Sequence, residues 1–169
     1  MASGLDLPMA VPGATAAAPS LVLTFTLNGE TFALDVGRVH EIIDPLPMTC
    51  VPRADPFVPS LINVRGAIVP VVDVQTRLGM RRGTDERATR LVVIEVTVED
   101  EPTKVALIVD GVNEVIEIDG ASIEEIPELG ARWPGEFIRG IALKGDELIV
   151  LLNTETLFRP RRGQARALN

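Results

Sequence analysis

The chain has 169 residues, of which 46% are hydrophobic and only 4% aromatic, with one cysteine and one histidine. Its net charge of −8 gives no positive field for a phosphate backbone, so nucleic-acid binding is disfavoured. The composition also excludes a disordered chain and a disulfide framework. Valine, isoleucine and threonine make up more than a quarter of the residues, which is typical of β-structure.

Both ends of the chain differ in composition from its body. Residues 1–19 are predicted to form a flexible Ala/Pro-rich leader, and residues 159–169 a basic tail. The leader lacks the basic start of a secretory signal, and no apolar run approaches the roughly 18 residues that span a bilayer. A lone cysteine suits a reducing compartment. The sequence therefore predicts a cytoplasmic protein that does not insert directly into a membrane.

Short apolar runs separated by turn residues predict β-strands throughout residues 20–158. Asn28-Gly29 predicts a hairpin turn because both residues tolerate positive φ, and residues 65–67 predict a second. Pro70 in the strand that follows indicates an edge or a bulge. Helices are expected only as short turns near residues 57–61 and 154–158. The predicted strands are 21–27, 31–36, 39–43, 61–64, 68–72, 91–98, 105–109, 112–118, 137–143 and 148–152, with an irregular edge or loop at 45–59.

An internal repeat runs through these strands. Residues 33–43 and 106–116 both read A-L-x-V-x-x-V-x-E-[IV]-I, at an offset of 73. Residues 57–73 match 137–153 at an offset of 80, and the opening strands match at 70. We therefore expect two repeat units, roughly 21–78 and 91–158, with a linker at 79–90. Units of about 60 residues are near the lower size limit for folding alone, so they are expected to close into small barrels packed across an apolar seam.

Few residues are suited to catalysis. His40 is the only histidine and Cys50 the only cysteine, which excludes a multi-histidine metal site. A thiol–imidazole pair of these two residues is one enzyme hypothesis. Glu124, Glu125 and Glu128 are interpreted as a solvated acidic loop. No catalytic residue, cofactor or metal is predicted.

Two charged residues stand out in the strand pattern. Strand alternation puts Val39, Glu41 and Ile43 on one face, so Glu41 lies either at a barrel rim or in a contact surface. Arg65 lies at a hairpin tip, where it either points into water or anchors an interface. The residues alone leave these alternatives open.

Over residues 20–158 the chain resembles the CheW-like domain of bacterial chemotaxis coupling proteins. The most specific part is the Asn-x-Arg-Gly hairpin at 63–66 followed by Ile-Val-Pro-Val-Val-Asp at 68–73. Residues 25–36, 39–42, 51–52, 57–58, 61–62, 77–79, 109–115 and 138–142 also fit. The resemblance implies an all-β fold of two SH3-like, five-stranded barrels packed around a hydrophobic seam, with only short helices. The chain departs from the pattern at Ser60, where many members have glycine, and at Val74 and Gln75, where Leu-Arg is frequent.

The resemblance also implies a non-catalytic adaptor. Its partners would be the cytoplasmic tips of chemoreceptors and the regulatory domain of the histidine kinase CheA, with other CheW-like domains as further partners in membrane-associated receptor arrays. The alternatives are a small-ligand-binding β-barrel protein and a CheW-like scaffold of a non-flagellar chemosensory pathway. The resemblance implies a partner-binding surface that contains Val39, Glu41, Ile42, Asn63, Arg65 and Gly66.

Overall fold

The computed structural model describes residues 19–80, 89–127 and 132–159. These ranges contain β-strands, two four-residue helices and 3-10 turns, which confirms the all-β class with only short helices. The strands are β1 (Ser20–Leu27), β2 (Glu30–Asp35), β3 (Val39–Ile43), β4 (Thr49–Cys50), β5 (Ser60–Val64), β6 (Ala67–Val72), β7 (Arg90–Val98), β8 (Glu101–Val109), β9 (Gly111–Ile118), β10 (Ile138–Lys144) and β11 (Glu147–Leu152). The helices are α1 (Val74–Arg77) and α2 (Thr154–Leu157).

The strands form two sheets, which give the two SH3-like barrels of the fold. Barrel 1 has five strands in the order β10-β11-β2-β1-β9. Barrel 2 has the order β3-β7-β8-β6-β5-β4. Its sixth strand, β4, has only two residues and lies at the sheet edge, in the segment where an irregular edge is predicted. The two-barrel prediction is confirmed, with this short strand in addition.

The barrels do not coincide with the two repeat units of the sequence. Strands β1 and β2 come from the first unit, yet they pair with β9 and β11 of the second. In return, β3 and β6 of the first unit pair with β7 and β8. The two exchanged pairs have the same register. Val71 pairs with Ala106 in barrel 2, and the repeat-equivalent residues Leu151 and Ala33 pair in barrel 1. Each barrel is therefore built from strands of both units.

One repeat offset differs from the prediction by one residue. Leu23 pairs with Leu34 in the β1–β2 hairpin, and Val92 pairs with Leu107 in the β7–β8 hairpin. Because β2 and β8 correspond at an offset of 73, β1 and β7 correspond at 69 rather than 70. Both opening strands are apolar along most of their length, so sequence similarity alone does not determine their alignment to within one residue. The observed pairing of the strands does.

The short helices are only partly predicted. Helix α2 lies where a helical turn is expected, but residues 57–61 form a turn and the start of β5. Helix α1 is not predicted. Asp73 accepts a hydrogen bond from the Thr76 N–H and so caps α1, as Asn153 caps α2. These caps occupy equivalent positions of the repeat, so the equivalence of 73 and 153 is the signal that predicts α1.

Strand β6 is not an edge strand, and its register with β5 shows no bulge, contrary to the edge or bulge expected from Pro70. It lies between β8 and β5. The proline is tolerated because β8 pairs only with Val71 and Val72, which follow it, so no ladder hydrogen bond to β8 is lost at Pro70.

Three apolar clusters form the core of the part of the chain that the structure describes. One fills barrel 2 around Ile62, Val71 and Val93, and one fills barrel 1 around Val22 and Ile149. The largest cluster lies between the barrels and draws residues from both, which confirms the hydrophobic seam. It includes Leu23, Phe25, Phe32, Leu34 and Val150 of barrel 1 with Val72, Val92, Ile94, Leu107 and Val109 of barrel 2. Strands such as β1 are thus buried on both faces.

We expect Gly140→Ala to lower the free energy of unfolding by about 1–3 kcal/mol. A Cβ at Gly140 would lie 2.5 Å from Ile123 Cγ2 and 2.8 Å from the Glu124 carbonyl oxygen, so the backbone bridge between Glu124 and Ile141 would have to shift. Its repeat equivalent, Ser60, already carries a Cβ, which makes this close approach specific to barrel 1. Urea denaturation measures the effect.

Gly111→Ala in β9 is the matched control. An added Cβ there meets no atom within 4 Å. Equal losses of stability in the two variants would contradict the close approach at Gly140.

Candidate functional site

Strand β3 carries three of the predicted partner-binding residues on two faces. Val39 packs against the seam cluster. The ladder shifts between Val39 and Glu41, and this bulge places Glu41 opposite Val93, on the face that lines barrel 2. Ile42 lies on the other face and is 44% exposed. The common face predicted for Val39, Glu41 and Ile43 is therefore wrong for Val39, because a bulge adds one residue to the alternation.

The β5–β6 hairpin presents Asn63, Arg65 and Gly66 at its tip. Arg65 and Gly66 have φ values of +53° and +90°, which a two-residue turn between antiparallel strands requires. Asn63 Oδ1 accepts a hydrogen bond of 2.7 Å from the Gly66 N–H and holds the turn closed. The side chain of Arg65 is left 77% exposed. Asn63 and Gly66 thus shape the turn, and Arg65 projects from it.

Arg65 and Glu41 form an ion pair with two contacts. Arg65 Nη2 lies 2.9 Å from Glu41 Oε2, and Nη1 donates to Oε1 at 3.1 Å. The Glu41 side chain is only 17% exposed, so the arginine supplies the partner that a largely buried carboxylate needs. Strands β3 and β5 lie towards opposite ends of the strand order of barrel 2. The ion pair therefore links the two ends of this sheet.

Barrel 1 contains a corresponding arrangement. Glu114 is the repeat equivalent of Glu41, and it forms an ion pair with Lys144 at the start of the β10–β11 turn. Strands β9 and β10 are the two end strands of barrel 1, so this pair also links the ends of its sheet. Val115, the equivalent of Ile42, is 51% exposed.

Exposed aliphatic side chains accompany both ion pairs. Among the described residues, five of the seven exposed large hydrophobic side chains adjoin these pairs in sequence or in the ladder. Ile42, Val115 and Leu143 are sequence neighbours of Glu41, Glu114 and Lys144. Ile68 pairs with Asn63, and Leu148 pairs with Leu143. Large apolar side chains beside a charged pair on an exposed surface are typical of protein–protein interfaces. We name the two groups the Glu41–Arg65 cluster (Glu41, Ile42, Asn63, Arg65 and Ile68) and the Glu114–Lys144 cluster (Glu114, Val115, Leu143, Lys144 and Leu148).

The Glu114–Lys144 cluster is absent from the sequence-based prediction. Its signal is present in the repeat, which places Glu114 and Val115 on Glu41 and Ile42. The positively charged partner is harder to find because its position differs by one residue between the repeats. Lys144 corresponds to Val64 rather than to Arg65. Alignment of the two repeat sequences therefore matches Glu114 with Glu41 but does not match Lys144 with Arg65. Only the fold shows that both repeats form an equivalent ion pair.

None of the residues considered for catalysis is a member of either cluster. His40 Nε2 is 3.3 Å from Lys104 Nζ on the surface, and Cys50 is exposed on β4. Glu124 forms a backbone bridge to β10, and Glu128 lies outside the described residues. In the part of the chain that the structure describes, no three His, Cys, Asp or Glu side chains are grouped to hold a metal ion. No helix in these ranges has the length and apolar character of a membrane span.

Comparison with known proteins gives one consistent result. Residues 21–162 match the family model of the CheW-like domain. The probable chemotaxis protein CheW of Rhizobium etli is 28% identical over 144 residues, which cover 85% of this chain and 90% of the relative. The chemotaxis protein CheW of Bacillus subtilis is 32% identical over 107 residues, 63% of this chain and 66% of the relative. The crystal structure of the scaffolding protein TtCheW from Thermoanaerobacter tengcongensis is similar with a TM-score of 0.75 and 33% identity, covering 85% of this chain and 90% of that one.

We expect Arg65→Ala to lower the free energy of unfolding by only about 1 kcal/mol or less. The reason is that Arg65 is 77% exposed, so water reaches the ion pair and takes the place of the guanidinium at the Glu41 carboxylate when the arginine is removed. Urea denaturation checks this value, with Lys144→Ala in the other cluster as the matched variant. A loss of several kcal/mol for Arg65→Ala alone would instead assign this arginine a structural role.

Proposed function

Because this chain belongs to the CheW-like family of chemotaxis coupling proteins, we propose that it is a non-catalytic adaptor between chemoreceptors and a CheA-type histidine kinase. One partner is the cytoplasmic tip of the receptors, and the other is the regulatory domain of the kinase. The observation that supports this role best is the presence of two equivalent surface clusters on two barrels, each with an ion pair and exposed aliphatic side chains. An adaptor needs separate surfaces of this kind.

The composition of each cluster suits protein recognition. The exposed isoleucine, valine and leucine side chains lose contact with water when a partner covers them, which favours association. The charged pair at the centre then restricts which partner surfaces fit, because a like charge placed against it is repelled. Arginine is also frequent among the residues that dominate binding energy. Of the six residues that the family resemblance points to, Arg65 is therefore the strongest candidate for a direct contact.

The other five have different roles in this proposal. Glu41 orients Arg65, and Ile42 supplies apolar contact area. Asn63 and Gly66 set the shape of the turn that carries Arg65. The role of Val39 is indirect, since it packs against the seam and positions the start of β3. The partner-binding surface of barrel 2 is thus the Glu41–Arg65 cluster supported by Val39 and Gly66.

The coupling function needs both clusters at once. If each partner's binding free energy depends on the state of the other, the adaptor transmits the receptor state to the kinase. Receptor binding would also recruit the protein to membrane-associated arrays, where other CheW-like domains are further partners. The small-ligand alternative has less support, because aliphatic side chains fill the interior of both barrels in the described residues.

We expect charge reversal in the two clusters to separate the two partners. Arg65→Glu places a second carboxylate beside Glu41 and repels an acidic partner surface, so binding to one partner should weaken by at least about tenfold. Lys144→Glu should weaken the other partner by a similar factor. Calorimetric titration with a CheA regulatory domain and with a receptor-tip fragment measures both affinities.

The matched control is Arg139→Glu, which makes the same charge change at an exposed position of β10 outside both clusters. It should leave both affinities unchanged. If folded Arg65→Glu and Lys144→Glu proteins bind both partners as tightly as the control does, the assignment of these clusters to partner binding is wrong.

A further inference from the structure

Arg77, the last residue of α1, is buried between two phenylalanine rings. Only 6% of its surface is exposed, an unusual degree of burial for an arginine. Its guanidinium carbon lies 4.5 Å from the ring centroid of Phe57 and 4.8 Å from that of Phe137. Nη2 donates a hydrogen bond to the carbonyl oxygen of Arg159 at 2.5 Å. In the sequence, Arg77 begins a polar stretch, which is typical of the protein surface.

The two rings belong to different barrels. Phe57 precedes β5 of barrel 2, and its carbonyl oxygen accepts a hydrogen bond of 2.8 Å from the Asp73 N–H. Phe137 precedes β10 of barrel 1, and its carbonyl oxygen accepts an equivalent bond, also 2.8 Å, from the Asn153 N–H. The backbone of each phenylalanine is thus anchored in the same way to the end of its own barrel. Arg77 is therefore held at once by an anchored group of barrel 1 and an anchored group of barrel 2.

The repeat shows that packing alone does not require an arginine here. The residue equivalent to Arg77 in the second unit is Leu157, which is fully buried. An aliphatic side chain therefore satisfies the corresponding position of α2. The cation in α1 adds a directional contact, since a planar guanidinium lies favourably only over the face of a ring.

Directional contacts matter at this seam because its core cluster is apolar. The other directional contacts found near it in the described residues converge on Asp110, whose Oδ2 accepts hydrogen bonds from the Asn28 N–H and from Gln75 Nε2. Hydrophobic burial is proportional to area and has little orientational preference, so an apolar seam holds two barrels together without fixing their relative rotation strongly. A guanidinium between two phenylalanine rings, one from each barrel, adds a directional restraint on this rotation. The hydrogen bond from Arg77 to the Arg159 carbonyl adds a second restraint just beyond α2.

We propose that Arg77 is a positioning residue that sets the orientation of barrel 1 relative to barrel 2. It thereby sets the relative placement of the Glu41–Arg65 and Glu114–Lys144 clusters. This consequence for coupling rests on the proposed adaptor function, whereas the effect on barrel orientation is a property of the chain alone.

The test measures the distance between two spin labels, one on each barrel. Cys50 is the only cysteine and is exposed on β4 of barrel 2, so it takes the first label in place. Asp146→Cys, at an exposed turn of barrel 1, takes the second. In this background, Arg77→Leu should give a broader or shifted distance distribution by double electron–electron resonance. The protein should remain folded, because leucine is the residue that the second unit uses at the equivalent position.

Two controls separate positioning from loss of charge and from loss of stability. Arg139→Leu removes an exposed arginine of barrel 1 and should leave the distribution as in the parent. Ile149→Val removes a methyl group from the interior of barrel 1 and should lower stability without broadening the distance distribution. A folded Arg77→Leu protein with the parent distribution would overturn the proposal.

A conservative variant keeps the test decisive if Arg77→Leu does not fold. Arg77→Lys retains the charge, but an ammonium group cannot lie flat between two rings. It should therefore broaden the distribution as well, and an unchanged distribution would again overturn the proposal. Since no partner is present in the experiment, its result does not depend on whether the chain binds a kinase or a receptor.

Discussion

The exchange of strands between the two repeat units is the constraint on which the rest of the structure depends. The parallel pairs β2–β11 and β6–β8 each join one strand of the first unit to one of the second. Neither unit contains a complete barrel, and the seam side of exchanged strands such as β1 and β2 is covered by the other barrel. In β1, for example, Val22 lies inside barrel 1 and Leu23 in the seam. Folding of the two barrels is thereby coupled, and surface sites on different barrels belong to one cooperative unit.

The strands and turns are predictable from the sequence because local residues determine them. Turn glycines and asparagines at positive φ, such as Asn28 and Gly66, separate the runs of β-branched residues at the predicted places. The order of strands within each sheet is not predictable in this way. It depends on which of several similar apolar strand edges pair with each other. A one-residue slip in register, or a bulge such as that between Val39 and Glu41, also has no signal in the sequence pattern.

The candidate site is predictable in part for the same reason. Glu41 and Arg65 are visible because each contradicts its local pattern: a carboxylate within an aliphatic strand and an arginine at a turn. That they contact each other is not visible, since 24 residues separate them and the contact exists only when the sheet brings its ends together. Arg77 is the opposite case. A charged residue in a polar stretch is predicted to lie on the surface. Only the structure, in which two rings enclose Arg77, shows that this residue is buried.

The differences between the two clusters are as informative as their equivalence. Arg65 carries a planar fork that contacts both oxygens of its glutamate, whereas Lys144 offers a compact point charge. Asn63 occupies the position of Leu143, so one hairpin has a polar turn where the other exposes a leucine. A bridge between two different proteins needs this asymmetry, because two identical surfaces would bind the same partner twice. Duplication of one repeat unit supplies the two clusters, and in the proposed adaptor a few substitutions at the hairpins supply the discrimination between partners.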